Sequence, residues 1–431
     1  MTLLATMLLI LCVALILGMP VPFAFGLTMI YIAFATGIDV TTLLPSGHWR
    51  MNALVLLAIP LFIMAGGLME RGKIAAPLVD LAEVFVGRIR GGLSAAAVVA
   101  SAIFGSISGS ASATLTCIGS IMLPRLAAAR YPRGISSALI ANAAPLGLLI
   151  PPSAIQIIYA WVTRQSVLEC FLATIVPGLI LVAFLILVNF ILLHKHKTIE
   201  TLPPSDNLPK EVAKTTWSAF PALLMPVIIL GGIYGGIMTP TEAAGIAVVY
   251  AIPVGFFIYR GLNKDNFIPA IVDTATTTGV VMVMFFMVMI VSRLLVFEDI
   301  PGIAQDLIFS VSENPIVILI MVNMVMVIIG MLMDDVSGVL LSAPLLFPIV
   351  TELGVDPIQF AAIVGVNLGM GNITPPTAPL LYLGARVGKT PINEMMGPTI
   401  IMILFAWIPT LIITTYIPEV SLWLPNALLG Q

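Results

Sequence analysis

Long apolar runs, separated by short clusters of proline, glycine and charged residues, dominate the pattern along this chain. Runs of this length predict helices that cross a lipid bilayer, for which about 20 apolar residues are needed. The predicted spans are Thr2–Met19, Phe23–Ile38, Ala53–Met69, Phe171–Leu193, Ala219–Tyr234, Val280–Val296 and Ile400–Tyr416.

Two further stretches, Glu70–Gly92 and Glu298–Asn314, alternate apolar and charged positions at helical spacing. In the first, Ile74, Leu78 and Leu81 fall on one face, against charged residues on the other. This pattern predicts amphipathic helices that lie along the membrane interface.

Two apolar segments contain a double proline in the same sequence context. They read LGLLIPPS at Leu146–Ser153 and MGNITPPT at Met370–Thr377, and Pro151 and Pro375 are 224 residues apart. The chain is therefore predicted to contain two related halves, each with a broken hydrophobic segment in the same place. In membrane proteins this arrangement points to a site for substrate and coupling ion between discontinuous helices.

A region rich in glycine, serine, alanine and threonine precedes each break. The sequence FGSISGSASATLT lies at the centre of Leu93–Leu123, and GMLMDDVSGVLLSAP lies at the centre of Pro315–Pro348. Small residues allow backbones to approach closely, and hydroxyls can satisfy backbone groups where a helix breaks. We predict two re-entrant hairpins; tight helix packing faces are the alternative.

The chain is accordingly divided into a first repeat over residues 1–193, a polar linker over 194–216, and a second repeat over 217–431. Each repeat is predicted to hold spanning helices, one interfacial helix, one hairpin and one broken helix. The lysines of the linker place it on the cytoplasmic side by the positive-inside rule.

Composition excludes a soluble protein. Sixty per cent of the residues are hydrophobic, 9% are charged and the mean hydropathy is +1.13, so the chain is an all-α polytopic protein of the lipid bilayer. A net charge of −3 with scattered basic residues does not indicate nucleic-acid binding. Cys12, Cys117 and Cys170 are too widely spaced to indicate a disulfide framework or a thiolate metal site.

The main chemical prediction concerns cation binding at the double prolines. Proline has no backbone N–H, so each break leaves carbonyl oxygens unpaired, and such oxygens with nearby hydroxyls suit a small hard cation such as Na⁺. The alternative is that the prolines only kink the helices. By the repeat register we predict one Na⁺ site at Ser106, Gly147, Ile150 and Pro152, and a second at Gly330, Gly371, Thr374 and Thr377.

Three charged residues fall in or beside apolar segments. Arg293 lies inside a predicted span, where it either holds a carboxylate in a polar cavity or extends to the headgroups. Asp334 and Asp335 stand where the first hairpin has Ser110 and Ala111. They are predicted to ligate Na⁺, to order the hairpin tip or to pair with Arg293; a water-exposed tip is the alternative.

The motifs FGSISGSASAT, APLGLLIPPS, GGIYGGIMTPTEAAG and GMGNITPPTAP together resemble the large membrane subunit of tripartite ATP-independent periplasmic (TRAP) transporters. The resemblance covers nearly the whole chain. It implies two inverted repeats and an elevator mechanism, in which a transport domain of hairpins and broken helices slides against a scaffold domain in the bacterial inner membrane.

The resemblance also implies Na⁺-coupled import of an organic acid, either a C4-dicarboxylate or a sugar acid, with a slight preference for sialic acid. It implies two partners, a small membrane subunit and a periplasmic substrate-binding protein. On this hypothesis the substrate contacts are Ser108, Ser110, Ser153, Arg293 and Asp335.

Two of three other function classes stay open from the sequence. An ion channel or passive pore would show flux without coupling, and a scaffold subunit would lack a transport site of its own. A membrane-embedded enzyme is not supported, because the sequence has no His/Asp/Glu motif such as HExxH.

Overall fold

The computed structural model describes residues 2–196, 198–201 and 207–430, and within these ranges the chain is helical with no strand. The first half contains α1 (Thr2–Ile16), α2 (Val21–Thr36), α3 (Val40–Met51), α4 (Ala58–Arg71), α5 (Ala75–Val86), α6 (Gly92–Ser108), α7 (Ala111–Ala128), α8 (Arg133–Ala143), α9 (Leu146–Leu149), α10 (Ala154–Thr163) and α11 (Val167–Leu193).

The second half contains α12 (Leu208–Tyr234), α13 (Pro240–Pro253), α14 (Lys264–Phe297), α15 (Ile300–Val311), α16 (Pro315–Leu332), α17 (Asp335–Glu352), α18 (Pro357–Gly371), α19 (Pro379–Gly388), α20 (Ile392–Met402), α21 (Ile408–Tyr416) and α22 (Pro418–Leu429). A 3₁₀ turn, Leu54–Leu57, leads into α4, and π-helical turns extend α13 and join α20 to α21.

Nine helices in the described part of the chain are long and apolar enough to span a bilayer, and the bent pair formed by α8–α9 and α10 adds a tenth. The prediction of an all-α polytopic membrane protein is confirmed. The linker is shorter than its predicted range of 194–216, because α12 already begins at Leu208. Residues 197 and 202–206 of that range lie outside the described residues.

The two halves repeat at the predicted register. Adding 224 to the bounds of α7 gives the bounds of α17, and the same shift carries the start of α8 onto the start of α18. Between the two hairpins the chain crosses once through the broken helix and four times through α11, α12, α13 and α14. Because this number of crossings is odd, the second hairpin enters from the opposite face, so the repeats are inverted.

The first hairpin turns at Gly109, whose φ of +59° lies in the left-handed region that favours glycine. The tip contacts the double-proline break: a Cβ added to Gly109 would lie 3.1 Å from the carbonyl oxygen of Pro152. Because the break is near the middle of the α8–α10 unit, the hairpin ends partway through the membrane. Both Pro-Pro bonds, Pro151-Pro152 and Pro375-Pro376, are cis.

Each hairpin packs against its own broken helix through facing glycines. A Cβ on Gly105 would lie 2.6 Å from the Gly147 Cα, and a Cβ on Gly371 would lie 2.7 Å from the Gly330 carbonyl carbon. Backbones this close leave no room for a side chain. Small residues are used in the same way at helix contacts in membranes generally, where close van der Waals packing drives association.

We therefore expect Gly105→Ala to destabilise the fold by about 1–3 kcal/mol, the usual cost of overpacking a tight contact. Gly245→Ala is a matched control, because a Cβ at this mid-helix position of α13 meets nothing within 4 Å. The control variant is expected to leave the free energy of unfolding unchanged or to raise it by up to about 1 kcal/mol, because alanine has a better helix propensity than glycine. Thermal unfolding of the detergent-solubilised protein measures both, and equal midpoints would contradict the close contact.

Candidate transport site

A cavity of about 460 Å³ lies between the two hairpin tips and the helices α4 and α14. The first tip contributes Ser108, Gly109 and Ser110, and the second contributes Asp334 and Asp335. The wall formed by α4 and α14 contains small and hydroxyl-bearing residues: Gly66, Gly67, Thr274 and Thr277.

Three helices begin at this cavity. The first residues of α7 (Ser112 and Ala113), of α10 (Ala154 and Ile155) and of α17 (Asp335 and Val336) all line it. The first N–H groups of a helix have no partner within the helix, and the helix dipole places partial positive charge there. Three converging N-termini therefore favour an anionic group, as in other transporters built from discontinuous helices.

Side chains at the hairpin tips cap these helices. The Ser110 hydroxyl accepts from the Ala113 N–H at 3.4 Å, and the equivalent residue in the second repeat, Asp334, accepts from the Val336 N–H at 3.2 Å. Asp335 accepts a hydrogen bond from the Asn372 side-chain amide, which joins the second tip to its break. Of the predicted roles for the two aspartates, ordering of the tip is therefore observed.

The charges around the cavity are mainly negative. Asp334 and Asp335 line it at the second tip, Glu70 and Asp273 line it elsewhere, and Arg71 is the basic residue among the described lining residues. Arg71 is engaged in an ion pair with Asp273 that joins α4 to α14. These carboxylates would oppose an anionic group bound in the cavity.

The tip of hairpin α6–α7 lies against the first break, where Gly147 faces Gly105 and the Pro152 carbonyl oxygen lies near Gly109. Pro151 and Pro152 carry no N–H, so the carbonyls of Gly147 and Leu148 lack the donors that a continuous helix would supply. The Ser153 hydroxyl is fully buried and has no hydrogen-bond partner. Free carbonyls and an unpaired hydroxyl fit the oxygen ligands of a hard cation.

The other two residues of this site are placed by the neighbouring helix ends. Ser106, in the last turn of α6, donates to the Ile103 carbonyl at 2.7 Å and keeps its oxygen lone pairs available. Ile150 follows α9 directly, with extended backbone.

The second break is similar in shape but more fully hydrogen-bonded. The Thr377 hydroxyl donates to the Met331 carbonyl at the end of α16, and the Thr374 hydroxyl donates to the Met370 carbonyl at 2.6 Å. The Thr374 N–H also bonds the Gly371 carbonyl at 3.0 Å. The structure thus brings Thr374, Thr377 and Gly371 together with Gly330, as the repeat register predicts.

A cation at either break would be held mainly by backbone and hydroxyl oxygens. Within the described residues, no three His, Cys, Asp or Glu side chains lie close enough to form a metal site.

The predicted substrate contacts do not form one group. Ser108, Ser110 and Asp335 line the central cavity, whereas Ser153 is buried beside the first break. Arg293 lines a different cavity, farther along α14. Sequence reasoning missed Asn372, although it lies inside the motif MGNITPPT, because the asparagine has no special spacing and its role depends on contact with Asp335.

Comparison with known proteins identifies the family. Residues 8–420 match the family model of the "Tripartite ATP-independent periplasmic transporter, DctM component". The chain belongs to this family. Its resemblance to TRAP large subunits, predicted from the motifs, is thereby confirmed.

Two curated relatives carry more specific names. The chain is 38% identical over 374 residues to the C4-dicarboxylate TRAP transporter large permease protein DctM of Pseudomonas aeruginosa, covering 86% of each chain. It is 31% identical over 420 residues to the sialic acid TRAP transporter large permease protein SiaM of Vibrio cholerae, covering 96% of each. Among solved structures, the YdaH transporter of Alcanivorax borkumensis has a TM-score of 0.61 at 14% identity, covering 90% of each chain, and shows the shared fold alone.

Membership of the DctM family makes the chain the large permease component of a tripartite, ATP-independent transporter. The role of the family is transport rather than catalysis. A tripartite system also means that this TRAP permease works with other components, and its apolar spans make it a multi-pass membrane protein.

The capping role of Asp334 can be tested at the second tip. Asp334→Ala is expected to weaken the start of α17 by about 1 kcal/mol, which corresponds to about fivefold faster hydrogen exchange of its first amides. Asp334→Asn keeps a capping oxygen without the charge and is expected to exchange like the unmodified protein. Equal acceleration in both variants, measured by mass spectrometry, would show that charge rather than capping holds the tip.

Proposed function

We propose that this chain is the permease of a Na⁺-coupled importer that takes a carboxylate-bearing organic acid through the bacterial inner membrane. The observation that carries the proposal is the convergence of three helix N-termini on one cavity whose charged lining residues are mainly acidic. The N-termini attract the substrate carboxylate, while the surrounding acidic charge makes its binding depend on bound cations.

Substrate recognition is assigned to the first residues of α7, α10 and α17 and to the hydroxyls of Ser108 and Ser110. Ser108 is held in place by the Thr114 hydroxyl at 3.1 Å, so its oxygen is positioned before the substrate arrives. Prepositioned donors lower the entropic cost of binding. Asp335 acts indirectly, because its bond to Asn372 connects the second break to the cavity.

The two breaks are assigned to Na⁺. The first offers the Gly147 and Pro152 carbonyls with Ser106, and the second offers Gly330, Gly371, Thr374 and Thr377. Each break contacts the tip of its own hairpin. Na⁺ binding would therefore order the tips that form the substrate cavity, and it would place positive charge near the acidic lining.

Movement is assigned to an elevator mechanism, with the hairpins and broken helices sliding against α4 and α14. At the first hairpin tip this contact is made of small residues: a Cβ on Gly66 would lie 3.3 Å from the Ser108 Cα. A smooth patch of this kind suits relative translation of packed elements.

The proposed partners are a small membrane subunit and a periplasmic substrate-binding protein, as the tripartite family description suggests. The named relatives concern C4-dicarboxylates and sialic acid, which share a carboxylate. The proposal is therefore the carboxylate class, with both acids as candidates.

Uptake into proteoliposomes tests the proposal directly. The permease, its small subunit and its binding protein are expected to accumulate labelled succinate or N-acetylneuraminic acid without ATP when an inward Na⁺ gradient is imposed. Replacing Na⁺ by K⁺ at equal ionic strength is expected to reduce uptake to the level of protein-free liposomes. Equal uptake in K⁺ would overturn the coupling, and unsaturable flux would favour a pore.

Removal of a single hydroxyl group tests the second ion site. Thr374→Val removes one oxygen ligand with little change of shape and is expected to raise the half-saturating Na⁺ concentration about tenfold, equivalent to about 1.4 kcal/mol. Thr116→Val is the control, because Thr116 makes the same type of hydrogen bond, to the Ser112 carbonyl at 2.9 Å, and does not line the cavity. Equal effects of both variants would remove Thr374 from the ion site.

A further inference from the structure

A second large cavity, of about 1040 Å³, lies at the far ends of the helices that form the transport site. Three arginines from separate elements line it: Arg50 on α3, Arg164 after α10 and Arg293 on α14. No Asp or Glu is present among its described lining residues. We name it the arginine vestibule.

The three guanidinium groups are not neutralised. In the part of the chain that the structure describes, none of them forms an ion pair, and Arg293 lies over the Phe297 ring at 5.0 Å. Burial, followed by the positive charges of Arg293 and Arg164, lowers the pKa of Arg50 below its usual value. Like charges held together without counter-ions favour binding of an anion.

The vestibule and the central cavity are connected by the same three helices. On α10, Ile155 lines the central cavity and Trp161 lines the vestibule; on α14 the corresponding residues are Val281 and Met289. On α17 they are Val336 and Pro344. At 1.5 Å per residue, the two cavities are about 9–12 Å apart along these helices.

The vestibule lies on the membrane face opposite the polar linker. Arg164 comes just before α11, whose 27 residues cross the membrane and end beside the linker. Since the lysines of the linker favour the cytoplasmic side, the vestibule faces the periplasm, from which an imported substrate arrives.

We propose that the arginine vestibule is a separate anion-binding site that takes the carboxylate of the organic acid before the acid reaches the central cavity. This inference rests on the proposed import function. The concave shape, the two indole rings of Trp49 and Trp161, and the hydroxyl and amide groups of Thr42 and Asn52 suit a small organic anion. The guanidinium group of arginine binds a carboxylate through two parallel hydrogen bonds. This bidentate geometry makes the site selective for carboxylates over simple ions.

Fluorescence quenching tests binding without transport. The double variant Trp217→Phe, Trp423→Phe removes the two strongly exposed tryptophans outside the vestibule. Trp407 is fully buried, so the fluorescence that a quencher can reach comes from Trp49 and Trp161, which line the vestibule. At 0.01 M ionic strength, iodide is expected to quench the fluorescence more strongly than neutral acrylamide. This difference between the two quenchers is expected to shrink at 0.15 M, because the Debye length falls from about 30 to about 8 Å. Succinate is expected to relieve the iodide quenching.

Charge removal provides the decisive comparison. The triple variant Arg50→Gln, Arg164→Gln, Arg293→Gln is expected to lose the preference for iodide and the response to succinate. A control triple variant of exposed lysines near the other face, Lys210→Gln, Lys214→Gln, Lys264→Gln, is expected to keep both. Unchanged quenching in the arginine variant, or no relief by succinate in the unmodified protein, would overturn the proposal.

Uptake kinetics then show whether the site serves transport. The arginine variant is expected to raise the KM for succinate several-fold with little change of kcat, and replacement of all three arginines by lysine is expected to restore part of the KM. An unchanged KM would overturn the role in substrate entry. Anion binding at the vestibule without any organic-acid uptake would overturn the proposed import function and leave the vestibule as an anion site.

Discussion

The structure depends on a constraint of the membrane interior: a backbone polar group that has no water nearby must find a partner within the protein. Two double prolines break this rule locally, because they remove donors halfway through two membrane-crossing units. The hairpin tips lie against these breaks, and the glycine contacts between Gly105 and Gly147 and between Gly330 and Gly371 allow this close approach. Unpaired backbone at membrane depth is tolerated where it is buried in protein or lines a cavity, and Leu148, next to the first break, lines the central cavity.

The two repeats share a backbone but differ in chemistry. Ser110 and Asp334 occupy equivalent positions and cap equivalent helices, one with a hydroxyl and the other with a carboxylate. At the breaks, the Ile150 N–H bonds the carbonyl four residues earlier, whereas the Thr374 N–H bonds the carbonyl three residues earlier. The second half also carries a carboxylate at its tip and hydroxyl hydrogen bonds from Thr374 and Thr377 at its break. Two ions bound at the breaks, as we propose, would therefore meet different environments.

Charge is also distributed along the transport axis. Arginines surround the vestibule at one end of α10, α14 and α17, while helix N-termini and acidic side chains surround the cavity at the other. In the function that we propose, the first arrangement attracts an anion from water and the second accepts it only with cations. The ion pair between Arg71 and Asp273 engages the basic residue among the described residues that line the central cavity.

The sequence by itself determined the membrane-spanning character, the repeat register of 224 residues, the hairpin segments and the positions of the breaks, because each follows from local properties: the length of an apolar run, the size of side chains or the missing proline N–H. The bounds of the spans were less well determined, since the predicted span Val280–Val296 is only the second half of α14. The residues that the sequence predicts at each break lie on connected or repeated segments, and their role as an ion site stays a prediction.

Only the tertiary structure decided which side chains share a cavity. It placed Arg293 with Arg50 and Arg164 instead of with Ser108 and Asp335, and it joined Asn372 to Asp335. These outcomes depend on how long helices rotate and pack against one another, which residue spacing within one segment does not specify.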